Sequence, residues 1–152
     1  MNELLKKLNF KDQEKVFILN SPPEFESNIS EFQKFLKVET KFTTEKISFL
    51  ISFVKTEKEI LDTAKKFKQL NEDALTWFVY PKGTSKKYKS EISRDKGWDI
   101  LGKYDFEGVR MIAIDEDWSA FRFKKIQKIK KFTRNEKLAM SDLGKKIAKK
   151  KK

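Results

Sequence analysis

KVFILNSPPEFESNISEFQKFL, residues 15–36, is the stretch that decides the fold. It opens with four apolar residues at positions 16–19, which is typical of a short strand buried on both faces. Apolar side chains then recur at steps of four, three and four, at Phe25, Ile29, Phe32 and Leu36. This spacing predicts a helix with one apolar face, so the stretch is a strand followed by a helix that packs on the sheet.

The turn between this strand and this helix carries two prolines and an acid. Ser21 suits the N-cap of the helix, Pro22 its first position and Glu24 its third, which together predict a capping box. In α/β domains a cofactor often sits at such a turn. Here the turn is unfavourable for binding a cofactor phosphate, because prolines lack the N–H groups that hold an anion and Glu24 adds negative charge. In addition, no glycine occurs before Gly83 to let a ligand approach the backbone closely.

The remainder of the chain continues the alternation of strands and helices. Further strands are predicted over residues 38–42, 47–54, 75–80, 109–114 and 120–126. The second of these is the most hydrophobic run in the chain, which indicates a central position, whereas the first is weakly patterned and peripheral. Thr56 and Glu59 predict a capping box for the helix after the central strand, and another helix is predicted over residues 91–101.

These elements predict an α/β fold, a single three-layer Rossmann-like domain over residues 1–126. Its sheet is mostly parallel and ends in an antiparallel hairpin, because only the turn 115–119 separates the last two strands. The predicted second part, residues 127–152, is a basic, Lys-rich tail that is partly helical or disordered.

Composition excludes several classes of function. The 152-residue chain contains neither Cys nor His, so disulfides, thiolate nucleophiles, Ser-His-Asp catalysis and imidazole metal sites are all excluded. No metal site is therefore predicted. No segment approaches the roughly 18 continuous apolar residues of a membrane span, and the charged N-terminus is unlike a signal peptide, which favours a cytoplasmic protein.

The net charge of +12 is concentrated in the tail. Residues 124–152 contain 13 Lys and Arg against two acids, whereas residues 1–123 contain 22 basic and 21 acidic groups. Such a tail could bind the phosphate backbone of nucleic acid without reading sequence, and anionic lipid would be bound by the same electrostatic attraction. A solubilising tail is the alternative. The nucleic-acid candidates are Lys145, Lys146, Lys149 and Lys150.

Three segments carry a resemblance to a known family. They are the strand leading into residues 21–25 (SPPEF), residues 77–82 (WFVYPK) and residues 115–122 (DEDWSAFR). In this order they resemble short bacterial proteins known as a domain of unknown function, whose core is similar to a truncated class I methyltransferase. The resemblance spans roughly residues 4–126. It implies a fold, and no activity, because that family has none assigned.

The chain departs from true methyltransferases at the cofactor turn. Their first strand ends in an acid and a glycine-rich turn that holds S-adenosylmethionine (SAM), where this chain has residues 19–23, LNSPP. Only Glu39 could stand for the acid that holds the ribose hydroxyls, and its position is a weak match. No cofactor is therefore predicted.

Several polar residues follow strand ends, so we expect them at the carboxyl edge of the sheet, where α/β proteins bind ligands. Lys82 could neutralise an anion, Arg122 could hold a carboxylate bidentately, and Trp118 could offer a stacking surface. Asp115 and Asp117 could form a magnesium or general-acid pair. The candidates are Ser21, Glu24, Lys82, Asp115, Asp117, Trp118, Ser119 and Arg122.

A structural interpretation of the same residues stands beside the functional one. Trp77 and Trp118 would fill the core, and Arg122 would pair internally with Asp115 or Asp117, because an unpaired buried arginine is costly. Two acids in a tight turn are also common turn formers.

The favoured hypothesis is a methyltransferase-like protein with a remodelled cofactor turn and no catalysis. The first alternative is a nucleic-acid-associated protein that acts through its basic tail. The second is an enzyme or binder for a small anionic ligand at the carboxyl edge of the sheet.

Overall fold

A six-stranded sheet with helices on both faces organises the chain. The computed structural model describes residues 2–128. The strands are β1 (Lys15–Leu19), β2 (Lys37–Glu39), β3 (Ile47–Phe53), β4 (Leu70–Pro81), β5 (Phe106–Ala113) and β6 (Trp118–Lys125). The helices are α1 (Glu3–Lys7), α2 (Glu26–Phe32), α3 (Glu57–Ala64) and α4 (Asp99–Gly102), and short 3₁₀ turns cover Pro23–Phe25, Phe67–Gln69 and Ile126–Lys128.

The strand order is β2-β1-β3-β4-β6-β5. The first four strands in this order run parallel, and β6 is antiparallel to both of its neighbours. The predicted fold class is confirmed, including the peripheral second strand and the terminal hairpin. Because the chain passes from β1 outward to β2 and then returns to the other side of β1, the topological switch point lies between β1 and β3.

The core has one apolar cluster on each face of the sheet, because strand side chains alternate between the faces. On one face α1 and α2 cover Phe49, Ile51 and Trp77, and on the other α3 and α4 cover Leu50 and Phe78. Trp77 is fully buried and its indole N–H donates to the Leu8 carbonyl at 3.1 Å, which ties β4 to the end of α1. Trp77 therefore belongs to the core, as its structural interpretation predicted.

The capping box of α3 is confirmed. The Glu59 N–H donates to Thr56 Oγ1 at 3.2 Å, and the Thr56 N–H donates to Glu59 Oε1 at 3.2 Å. Two N–H groups at the helix start are thereby satisfied by local side chains. No helix in residues 2–128 is both long and apolar enough to cross a membrane.

Two local predictions are wrong. Ser21 does not cap a helix, because a 3₁₀ turn with Pro22 at its N-cap comes first and α2 begins only at Glu26. The predicted helix over residues 91–101 is reduced to α4. Gly97 has φ +103°, which breaks the helix, and the indole N–H of the buried Trp98 donates instead to the Ser93 carbonyl at 2.8 Å.

Candidate functional site at the carboxyl edge

The three segments that carry the family resemblance meet at the carboxyl edge of the sheet. Pro81, the last residue of β4, pairs with Trp118, the first residue of β6. The Lys82 N–H donates to the Asp117 carbonyl at 2.8 Å, which joins the second segment to the third. Glu24 brings in the first segment, because its carboxylate accepts a hydrogen bond from the indole N–H of Trp118 at 3.4 Å.

Glu24 is the polar centre of this site. Its Oε2 accepts the Tyr88 hydroxyl at 2.5 Å, and its Oε1 lies 3.5 Å from Lys87 Nζ. The hydrogen bond from Tyr88 lowers the pKa of Glu24 to about 2, with smaller contributions from Trp118 and Lys87. The same bond raises the pKa of Tyr88 to about 12. The structure thus holds an ionised carboxylate against a protonated phenol.

Tyr88 belongs to the loop of residues 82–90, and sequence reasoning did not single it out. Its ring lies under two lysines, with Lys55 Nζ 5.1 Å and Lys87 Nζ 5.6 Å from the ring centroid. Its centroid is also 4.8 Å from that of Trp118. The one aromatic residue in a lysine-rich loop was the available signal, since an aromatic side chain in such a loop has to pack somewhere.

Four aromatic side chains, here called the edge cluster, fill the space beneath this loop: Phe25, Phe53, Tyr88 and Trp118. The Phe53 ring centroid is 4.9 Å from that of Phe25 and 5.1 Å from that of Trp118, both in edge-to-face geometry. Trp118 is only 2% exposed. Its ring therefore packs against the protein's own aromatic side chains, in agreement with the structural interpretation.

The acidic turn before β6 is held together by its own side chains. Asp115 Oδ1 accepts the N–H groups of Asp117 at 2.8 Å and of Trp118 at 2.9 Å. Asp117 Oδ1 accepts the Ser85 hydroxyl at 2.8 Å, which anchors the loop of residues 82–90. These bonds are those of a turn former, and residues 2–128 contain no group of three or more acids that could hold a metal ion.

The turn after β1 bends without a glycine. Asn20 adopts φ +59°, a left-handed conformation that asparagine tolerates better than most residues. Pro22 is buried, and the next two residues begin the 3₁₀ turn that positions Glu24. Ser21 lies half-buried between these groups.

An open groove of about 480 Å³ lies on the α3 side of this turn. It is lined by Leu19, Asn20, Lys41, Phe42, Glu59, Asp62, Thr63 and Lys66. Glu59 caps α3, and the Thr63 hydroxyl is hydrogen-bonded to buried Ser52 at 2.8 Å. Glu59 and Thr63 are therefore engaged in the local structure of α3.

Arg122 does not belong to the carboxyl edge. It lies four residues into β6, opposite Trp77 of β4 and Arg110 of β5. The predicted pairing with Asp115 or Asp117 is wrong, because those side chains bond within the turn and to the loop of residues 82–90 at the start of β6.

The other predicted residues lie either at the carboxyl edge or beyond residue 128, where the structure describes no residues. Lys82 and Ser119 lie at the carboxyl edge and are half-buried. Lys145, Lys146, Lys149 and Lys150 lie outside the described residues.

With the fold and site in view, the chain can be compared with solved structures. It is similar to a SAM-dependent methyltransferase from Aquifex aeolicus, with 11% sequence identity, a TM-score of 0.53, and coverage of 82% of this chain and 88% of that chain. It is also similar to the mitomycin 7-O-methyltransferase MmcR, with 8% identity, a TM-score of 0.51, and coverage of 79% and 52%. The core has a methyltransferase-like fold. No protein-family model matches the chain, and no curated protein matches its sequence.

Proposed function

We propose that this methyltransferase-like protein does not bind SAM and is not a catalyst. The observation that carries the proposal is the Glu24–Tyr88–Trp118 contact, which covers the edge cluster at the carboxyl edge with the protein's own side chains. This edge, beside the switch point of the sheet, is where an α/β protein would bind its ligand.

The chemistry of the closure supports a permanent structural role. Tyr88 and Trp118 both donate to one carboxylate, and both rings pack in the edge cluster, so opening the edge breaks two charge-assisted hydrogen bonds. Pro22 and Pro23 offer no N–H groups to an incoming anion. The ionised Glu24 would also repel a carboxylate or phosphate at this position.

Thermal-shift titration with SAM and with S-adenosylhomocysteine tests this proposal. A ligand at ~100 times its dissociation constant would stabilise the folded protein by about 2.7 kcal/mol, which gives a clear shift. We expect no shift for the wild type or for Tyr88→Ala, which removes the aromatic closure. A dose-dependent shift of the wild type contradicts the proposal directly. A shift seen only with Tyr88→Ala also contradicts it, because it reveals a gated cofactor site.

We also infer that the chain belongs to the family of short bacterial proteins that its three segments resemble. The support is physical, because these segments contact one another at a single edge of the sheet through Glu24, Lys82, Asp117 and Trp118. Other chains that carry all three segments should then also carry a tyrosine in the loop of residues 82–90. Chains that carry the three segments without such a tyrosine would contradict this support, because the segments would then occur without the Glu24–Tyr88 contact.

A second candidate function is binding of a nucleic-acid backbone through the basic tail. It is favoured by the 13 basic and two acidic residues at positions 124–152. Gel shifts of the full-length chain at two salt concentrations test it. We expect weaker binding when Lys145, Lys146, Lys149 and Lys150 are all changed to Gln.

A charge-matched variant controls for the loss of four charges. It changes four exposed lysines of the folded part to Gln: Lys58, Lys65, Lys68 and Lys103. Equal binding by the two variants would show that the tail has no special part in binding.

A further inference from the structure

Two arginines face each other across the last two strands of the sheet. Arg110 of β5 pairs in register with Arg122 of β6, so both side chains lie on the same face of the sheet. Neither arginine forms an ion pair within residues 2–128. The Nε atom of Arg122 is buried and has no hydrogen-bond partner in the protein.

This arrangement is unfavourable for the protein on its own. Like charges directly opposite each other on a sheet are destabilising, and a buried N–H donor without an acceptor costs further free energy. Burial lowers the pKa of Arg122, and the neighbouring Arg110 lowers it further. The buried carboxylate of β5, Glu107, lies opposite Lys124, and this pair is the next one along the same face from the two arginines.

A cleft beside Arg122 has room for a small anion. Its volume is about 110 Å³, whereas one water needs roughly 10–15 Å³ measured in the same way. Its walls are Arg122, Lys124, Lys125, Phe106 and residues of β4 around an irregular stretch at positions 71–74. Two acids of that stretch, Glu72 and Asp73, also line the cleft, so it is not uniformly basic.

We propose that the Arg110–Arg122 pair is a binding site for a phosphate group. A phosphate presents several oxygens to the planar donor forks of two guanidinium groups, and its charge relieves their repulsion. This phosphate is assigned to a nucleic-acid backbone, an assignment that rests on the second proposed function.

The position of the pair supports that source. β6 ends at Lys125, on the wall of the cleft, and residues 126–152 follow directly. In sequence, these following residues, with 11 basic and two acidic side chains, therefore continue from the strand that carries Arg122. A nucleic acid held at Arg110 and Arg122 carries further phosphates that the basic residues after β6 can neutralise. A free phosphate has only one group to bind, so it gains nothing from those residues.

Binding of a fluorescein-labelled single-stranded RNA by the full-length chain tests the proposal. We expect the double variant Arg110→Gln/Arg122→Gln to bind about tenfold more weakly. We also expect the slope of log K against log salt to fall by about one. Asp73→Asn, which removes an acid from the cleft wall, should strengthen binding.

Arg94→Gln is the matched control, since it removes the same charge from an exposed position far along the chain. The one other arginine, Arg134, lies in the basic tail and is unsuitable as a second control position. The single variants Arg110→Gln and Arg122→Gln are therefore each compared with Arg94→Gln. If each binds RNA as tightly as Arg94→Gln does, the proposal is wrong.

The side-chain Nε–H resonances of the arginines, followed by NMR, separate the sources of phosphate. We expect both RNA and pyrophosphate to shift the Arg122 resonance and to leave that of Arg94 in place. A shift with pyrophosphate but not with RNA keeps the phosphate site and rejects the nucleic-acid assignment. No shift with either probe overturns the site itself, even if the tail still binds RNA.

Discussion

At the scale of single residues, Glu24 couples the turn after β1 to the loop after β4. Its pKa is lowered from 4.5 to about 2, chiefly by the hydrogen bond from Tyr88. A carboxylate with a lowered pKa stabilises the fold above the unfolded value, and this stability is lost as the pH falls through the folded value. We therefore predict that Glu24→Gln is less stable than wild type at neutral pH, and that the difference shrinks between about pH 4.5 and pH 2.

Urea unfolding at a series of pH values measures this difference. Glu26→Gln is the control, because it removes an exposed carboxylate from the next turn without touching Tyr88. A constant gap between wild type and Glu24→Gln across the acidic range would show that the carboxylate charge is irrelevant. The same unfolding experiment also tests Tyr88 in the alkaline range. The pKa of Tyr88 is raised to about 12, so wild-type stability should fall as the pH rises from 10 to 12.

Gly108 illustrates a second residue-scale constraint, which is lack of space. A Cβ at this position would lie 2.3 Å from ring atoms of Phe121, and that ring is packed against Trp98 and Phe123. Overpacking of this kind costs roughly 1–3 kcal/mol, so we predict that Gly108→Ala lowers the free energy of unfolding by about that amount. Gly83→Ala is the control, because no atom lies within 4 Å of its Cβ position.

Chemical denaturation of both variants provides the measurement. The double variant Gly108→Ala/Phe121→Leu should recover part of the loss, because the smaller side chain makes room for the new methyl group. If Gly108→Ala unfolds at the same denaturant concentration as Gly83→Ala, the close packing against Phe121 is refuted.

At the scale of elements, α3 depends on its first turn. The helix has only eight residues, too few to be stable alone, so its cap and its buried face both matter. Replacing an N-cap threonine by alanine typically costs ~1 kcal/mol, and we predict this loss for Thr56→Ala in equilibrium unfolding. Thr56→Ser should retain most of the stability. Lys58→Ala changes an exposed residue of the same turn, and a loss as large as that of Thr56→Ala would remove the cap as the cause.

At the scale of the whole molecule, protection should follow the position of each strand in the sheet. β3 and β4 are paired on both sides, whereas β2 has three residues and a single neighbour. Backbone amides of the central strands should open only in global unfolding, and those of β2 should exchange through local fraying. Hydrogen exchange measured by NMR tests this ordering. Equal protection of β2 and β3 would contradict the strand order described above.

The local sequence determined most of the secondary structure, because the patterns concerned act over a few residues. The apolar run at positions 47–54 produced the central strand, and Thr56 with Glu59 produced the cap of α3. The strand and helix of residues 15–36 formed with the predicted buried positions Phe25, Ile29 and Phe32. The two-residue alternation of strands and the 3.6-residue period of helices are local, so the buried positions can be predicted from them without the rest of the chain.

Only the tertiary structure decided the partners of the polar groups. Glu24 matched a capping box locally, but its carboxylate is bound by Tyr88 and Trp118, which lie 64 and 94 positions away. Arg122 was expected to find an acid, and the strand register placed Arg110 opposite it instead. Periodicity says which face a side chain occupies, but the contact partner depends on how distant strands align. The closure of the carboxyl edge and the arginine pair are therefore properties of the assembled sheet.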